Sequence, residues 1–107
     1  MPTPKTMQAV AIDSYGGKEL LKLRELPIPE MSPNEVLIKV EAAGVGVWDA
    51  ILRQGFMKNL APSTFPLVLG GDGSGRIAAV GADVQGFRVG DRVYGLCIFE
   101  PQRRLLR

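Results

Sequence analysis

In the stretch GVGVWDAILRQG, residues 44–55, an indole, a carboxylate and a guanidinium follow closely at Trp48, Asp49 and Arg53. An indole offers a flat apolar face for stacking on a planar ring, and equally a large group for a core. A carboxylate at the start of a short helix can cap it by accepting backbone N–H groups. A second stretch, LVLGGDGSGRIAAVG from Leu67 to Gly81, places Asp72 among clustered glycines. Such a run is either a cradle for phosphate or a set of backbone bends.

A dinucleotide fingerprint needs glycine at its first, third and sixth positions, for the tight turn, the approach to the pyrophosphate, and the packing of helix on strand. Counting from Gly71, the sixth position is Arg76; counting from Gly73, it is Ala78. Asp91 lies at a suitable distance for a ribose-binding acid, but Gly81, Gly86 and Gly90 intervene and leave no room for a crossover helix. Lys18 in YGGKEL has no following Ser or Thr, which removes the other common phosphate loop. The glycine run therefore reads as bends between strands. Zinc chemistry is equally poorly served: about three ligands from His, Cys or carboxylate are needed, and the chain has no histidine and one cysteine, Cys97. Asp49 and Asp72 alone make a poor site. Without a histidine to activate it, Cys97 reads as a small buried hydrophobe, not a nucleophile.

With 107 residues, 46% hydrophobic and 22% charged, the chain has the composition of one globular domain. It is too short for a catalytic domain plus a nucleotide-binding domain. The net charge is +2, and the dense basic cluster, Arg103, Arg104 and Arg107, has no interleaved aromatics. Nucleic acid is thus not an expected partner. No window has the length or apolarity of a membrane span, MPTPKTMQAVAI lacks the core of a secretory signal, and the single cysteine suits a reducing cytoplasm.

The elements that must position these residues are mostly strands. Alternation predicts strands over Gln8–Asp13 and Leu20–Leu26 joined by a turn at SYGG, then an extended segment PIPEMSPNE with a turn at Ser32–Asn34. EVLIKVEAAGV predicts the clearest strand, with Val36, Ile38 and Val40 on one face and Leu37, Lys39 and Glu41 on the other. Trp48, Ile51 and Leu52 fall at helical spacing, and Gly55 stands where a short helix would stop. Two further strands, Gly75–Val80 and Arg92–Cys97, flank the turn-rich GADVQGFRVGD. Tyr94 lies in the second of these, in the core or at a barrel rim. The expected fold is mainly β, a partly open barrel with one or two short helices.

Two ordered patterns carry a family resemblance: G-V-x-x-x-D-x-x-x-R-x-G over residues 44–55, and P-x-x-x-G-x-D-x-x-G-x-x-x-x-V-G over residues 66–81, followed by GFRVGDRVYG. Together with the opening hairpin they resemble the N-terminal GroES-like domain of the medium-chain dehydrogenase/reductase superfamily, which includes alcohol dehydrogenases and quinone oxidoreductases. The resemblance implies a GroES-like domain over residues 1–97 and a divergent basic tail over 98–107. It also implies that the glycine run crosses beneath an active site into a barrel strand. In the zinc branch of that superfamily a cysteine and a histidine stand where this chain has Gly46 and Gly71. The resemblance therefore points to the zinc-independent quinone oxidoreductase-like branch, where NADPH delivers hydride directly to a quinone, enone or activated alkene.

What that branch implies for the site follows position by position. Its usual asparagine and proline are replaced by Gly46 and Val47, leaving the backbone from Gly46 to Trp48 as the lining beside the nicotinamide. Trp48 and Asp49 are the substrate-side residues; Trp48 stacks on the ring or packs in the core, and Asp49 caps the helix or orients the site. Arg53 matches a basic position that can approach a cofactor phosphate or a substrate carbonyl, or lie on a solvated helix face. Asp72 is expected to bond backbone amides. The Rossmann domain that would hold NADPH follows this domain in the family, so no cofactor is expected on this chain alone. Its absence would expose an apolar face and favour self-association into a homo-oligomer. After GDRVYGL the sequence leaves the family pattern, which admits two functions: the substrate-side domain of a reductase, or a free-standing barrel binding a partner or small ligand without catalysis.

Overall fold

A computed structural model describes residues 5–96 and the backbone of residues 105–106. The expectations for Cys97 and for Arg103, Arg104 and Arg107 fall outside the described residues. The chain runs β1 (Thr6–Ile12), a 3-10 turn (Lys18–Leu20), β2 (Lys22–Pro27), β3 (Val36–Ala42), α1 (Val47–Gln54), β4 (Leu67–Val68), β5 (Asp72–Val80), β6 (Arg92–Leu96) and β7 (Leu105–Leu106). The fold is mainly β, as expected, in two open sheets of order β2-β1-β4 and β6-β5-β3-β7.

The opening hairpin forms because β1 alternates cleanly over most of its length, with Met7, Ala9 and Ala11 turned inward between outward Gln8 and Val10. It pairs antiparallel with β2 from Thr6↔Pro27 to Ala11↔Lys22. Ala9, Ala11 and Leu26 form a small core cluster, against which Met7 and Val68 pack. Small alanines let the β4 segment lie close, and the Ile12↔Leu67 pair is fully buried. β4 is absent from the expected elements because two residues carry no periodicity. It is added through pairing with β1, after a cis Phe65–Pro66 bond. The segment expected as a strand from Leu20 instead opens with the 3-10 turn, and pairing starts at Lys22.

The second sheet centres on β3 and β5. The turn expected at Ser32–Asn34 is closed from both sides, by the Glu35 N–H donating to the Ser32 carbonyl at 3.0 Å and the Ser32 N–H donating to Glu35 Oε1 at 2.8 Å. The strict two-face alternation expected of β3 does not hold. Leu37 and Ile38 are both buried, because the register with β5 shifts between them, from Leu37↔Ala79 to Ile38↔Ile77. An extra residue in one strand resets which side chains face inward.

The glycine run is corrected in the same way. Gly73 is not a bend, and the strand expected from Gly75 starts earlier: β5 begins at Asp72, pairs with β6 over Asp72–Arg76 and with β3 from Ser74 on. A Cβ on Gly75 would overlap the Lys39 carbonyl, beside the second register shift of β3. Glycine is required there because two backbones approach too closely for any side chain. The β5–β6 connection is turn chemistry throughout, and Asp91, whose spacing would suit a ribose-binding acid, accepts the Arg88 N–H at 2.9 Å within that turn. β7, in the stretch expected as a tail, pairs in parallel with Ile38 and Lys39 of β3.

Candidate active-site segment

The segment joining β3 to α1 is held at its start by Asp72. The Gly44 N–H donates to Asp72 Oδ1 at 2.7 Å, tying this crossing chain to the first residue of β5. Asp72 thus bonds a backbone amide, as the sequence suggested, and it bonds the one that leads into α1. Because Asp72 stands opposite Leu96 in β6, the tether also sets Gly44 near the end of that strand.

α1 starts earlier than a cap at Asp49 would require. Gly46 is the N-cap in extended backbone, with Val47 as the first helical residue. Asp49, in the first turn, accepts the Gly46 N–H through Oδ2 at 3.4 Å, half of a reciprocal cap whose other half glycine cannot supply. Its charge also complements the positive end of the helix. Nothing lies within 4 Å of where a Cβ on Gly46 would stand, so the space before the helix is open.

Trp48 is 61% exposed and Val45 93%, with Val47 exposed beside them. The core reading of the tryptophan is thereby excluded. Tyr94 is 90% exposed, which excludes its core reading as well, and Leu96 on the same strand is also exposed. Gly46, Val47, Trp48 and Asp49 thus form one continuous turn with an open front.

Arg53 is not brought to that turn. It lies five residues along α1, about 8 Å further on. Its Nη1 donates to the Gly16 carbonyl at 2.6 Å, while the Gly16 N–H donates to the Arg53 carbonyl at 2.9 Å. This reciprocal pair clamps the end of α1 to the loop after β1. Gly55, left-handed at φ 88°, then closes the helix as its spacing indicated.

Tyr15 was hidden within the SYGG turn. Its phenol oxygen accepts the Ser63 N–H at 3.0 Å, and its ring meets Phe65 edge-on at a centroid distance of 5.0 Å. The Ser63 hydroxyl and then its N–H, helped by the charge of Lys58, hold the phenol below its ordinary value, with partial burial opposing them. The sequence signal was an aromatic before two glycines, with nothing to indicate the distant partner. Among the described residues no three His, Cys, Asp or Glu side chains are placed to hold a metal ion. None of the described helices is long and apolar enough to cross a membrane.

Against known proteins, the alcohol dehydrogenase GroES-like domain family matches residues 32–104. The chain is 41% identical over 92 residues to an NADPH-dependent alkenal/one oxidoreductase, chloroplastic, of Arabidopsis thaliana, covering 85% of this chain and 24% of that protein. It superposes on the quinone oxidoreductase of Coxiella burnetii with a TM-score of 0.79 at 36% identity, covering 94% of this chain and 32% of the other. A cobalt- and zinc-bound thermostable alcohol dehydrogenase of Pyrobaculum aerophilum matches with a TM-score of 0.72 at 35% identity, covering 83% and 26%. The chain spans about a quarter of the length of the curated relatives it matches. With the family matched over most of its length and the two sheets superposing on solved members, the chain belongs to the alcohol dehydrogenase GroES-like domain family of the medium-chain dehydrogenase/reductase superfamily.

Proposed function

We propose that this chain is the substrate-side domain of a zinc-independent oxidoreductase that passes hydride from NADPH directly to a quinone, enone or activated alkene. The observation that carries this reading is the open turn at Gly46–Asp49. It combines an exposed indole with a glycine, Gly46, that has no side-chain ligand atom where a metal-binding branch would need one. NADPH, when bound, supplies the hydride.

Arg53 apart, the residues present fit only the nicotinamide end of that cofactor. The open space at Gly46 leaves room for a flat ring against the backbone of Gly46 and Val47. No cradle for the pyrophosphate exists in β5, which runs on as a strand instead of turning into a helix. A Rossmann domain is therefore the partner this reading requires.

Within the site, Trp48 offers a flat apolar face on which a planar ring can stack. Asp49 fixes the turn through Gly46 and moves no proton in this scheme. Arg53 acts through the clamp on Gly16, which leaves it further guanidinium N–H groups for a phosphate or carbonyl. The exposed residues Val45, Val47, Trp48 and Leu96 favour association of copies when no partner domain covers them. The single cysteine fits action in a reducing cytoplasm.

The test reads Trp48 directly, since it is the only tryptophan. A naphthoquinone should quench its emission saturably, beyond the collisional quenching of a free tryptophan amide, and Trp48→Ala should weaken naphthoquinone binding read by calorimetry without changing the unfolding midpoint. Linear, collision-only quenching would remove the substrate-side reading. It would favour instead a free-standing barrel that binds some other ligand.

A further inference from the structure

The loop from Gly55 to Phe65 leaves α1 two turns beyond Trp48 and carries two exposed apolar side chains, Phe56 and Leu60. Its first turns are closed by local bonds: the Lys58 N–H donates to the Gly55 carbonyl at 3.1 Å, and the Ala61 N–H to the Met57 carbonyl at 2.8 Å. Both ends of the loop close on one side chain. At the start, a Cβ on Gly55 would stand 3.1 Å from Tyr15 Cγ, so the ring lies directly against this glycine. At the far end the Tyr15 oxygen takes the Ser63 N–H at 3.0 Å and the ring edge meets Phe65. Tyr15 is itself held by the neighbouring Gly16–Arg53 clamp.

We propose that Tyr15 is a positioning residue, which by gripping both ends of the 55–65 loop sets where Phe56 and Leu60 stand relative to Trp48 and so which ring sizes the site accepts. This rests on the substrate-side reading above. The phenol ring alone would fill space; the oxygen adds a directional bond to an amide 48 residues away, which fixes the loop in one place. An exposed apolar loop without such an anchor would drift among positions and discriminate poorly between rings.

Tyr15→Phe keeps the ring against Gly55 and Phe65 and removes only the acceptor. Amide exchange at Ser63 should accelerate about fivefold, the worth of one ordinary hydrogen bond, while β1, β3 and β5 exchange as before. The ratio of saturable Trp48 quenching by a naphthoquinone to that by a benzoquinone should shift by about threefold or more. A loop that loosens with an unmoved ratio would overturn the positioning role and leave the substrate-side reading intact. Absence of saturable quenching in the unaltered chain would remove both. If Tyr15→Phe fails to fold, Ser63→Pro deletes the same bond from the donor side. The spectroscopic signature is separate: in Tyr94→Phe, the remaining phenol should ionise below the ordinary value of a tyrosine, and ionisation at or above that value would show that the anchoring bond is not made.

Discussion

Two glycine-bearing segments of this chain use the same residue for opposite reasons. In β5, Gly75 lies between two paired strands, where a side chain would collide with the Lys39 carbonyl. Ahead of α1, Gly46 faces open space at φ −130°, a conformation that any residue adopts. One glycine is demanded by backbone crowding, and the other leaves a front uncovered. A crowded glycine reports on the fold, while an uncrowded one at a helix start reports on what must fit there. The difference is invisible in composition, since each segment shows only alternate glycines in a short run.

The comparison can be broken most forcefully at Gly75. Gly75→Ala should cost about 3 kcal/mol or more, or prevent folding, because the strand must separate from β3 to admit the methyl group. Urea unfolding measures this, and a loss below about 1 kcal/mol would mean that β5 can shift freely. The same segment decides nucleotide binding. Calorimetric titration of the chain with NADPH should show no micromolar binding, because a doubly paired strand presents no row of free N–H groups to a pyrophosphate. Micromolar affinity would restore the phosphate-cradle reading.

A smaller effect is expected where the two segments meet. Asp72→Ala removes the acceptor for the Gly44 N–H, with an expected loss of about 1 kcal/mol and faster amide exchange across residues 44–48. Asp72→Asn should recover most of it by keeping an oxygen in place. An equal loss in both variants would show that charge, not the bond to Gly44, holds the crossing chain. The smallest effect is predicted for Gly46→Ala, within about 0.5 kcal/mol of the parent in urea unfolding, since the methyl group meets nothing. Its saturable quenching by a naphthoquinone should nevertheless weaken, because the methyl occupies the open front. Unchanged quenching would separate Gly46 from the site.

Much of this arrangement was legible in advance where neighbours along the chain decide it. α1 was readable from Trp48, Ile51 and Leu52 at helical spacing and Gly55 at its end, because helix geometry is local. The hairpin of β1 and β2 was readable from alternation, and the turn at Ser32–Asn34 from its residue types. The exposure of Trp48 was left open, since an indole suits either environment until the rest of the molecule is placed around it. Tyr15 could not be found at all: its meaning depends on Ser63, Phe65 and Gly55, none of them near it in sequence. The spacing of Arg53 marks a basic position but not half of a clamp, since Gly16 comes from the loop after β1.

By itself the sequence determined the mainly β character, the short helix and its stop, the lack of histidine ligands, and the failure of the glycine run as a dinucleotide fingerprint. Each depends on periodicity, residue chemistry or fixed spacing. Tertiary structure alone decided that Gly73 is a strand residue, that Leu37 and Ile38 are buried side by side, and that β4 exists. It also decided that Asp72 reaches Gly44 and that Tyr15 reaches Ser63. The physical reason is common to all of these: a strand's register and a side chain's partner are set by whichever backbone lies alongside, and intrinsic preference yields when pairing satisfies hydrogen bonds on both edges.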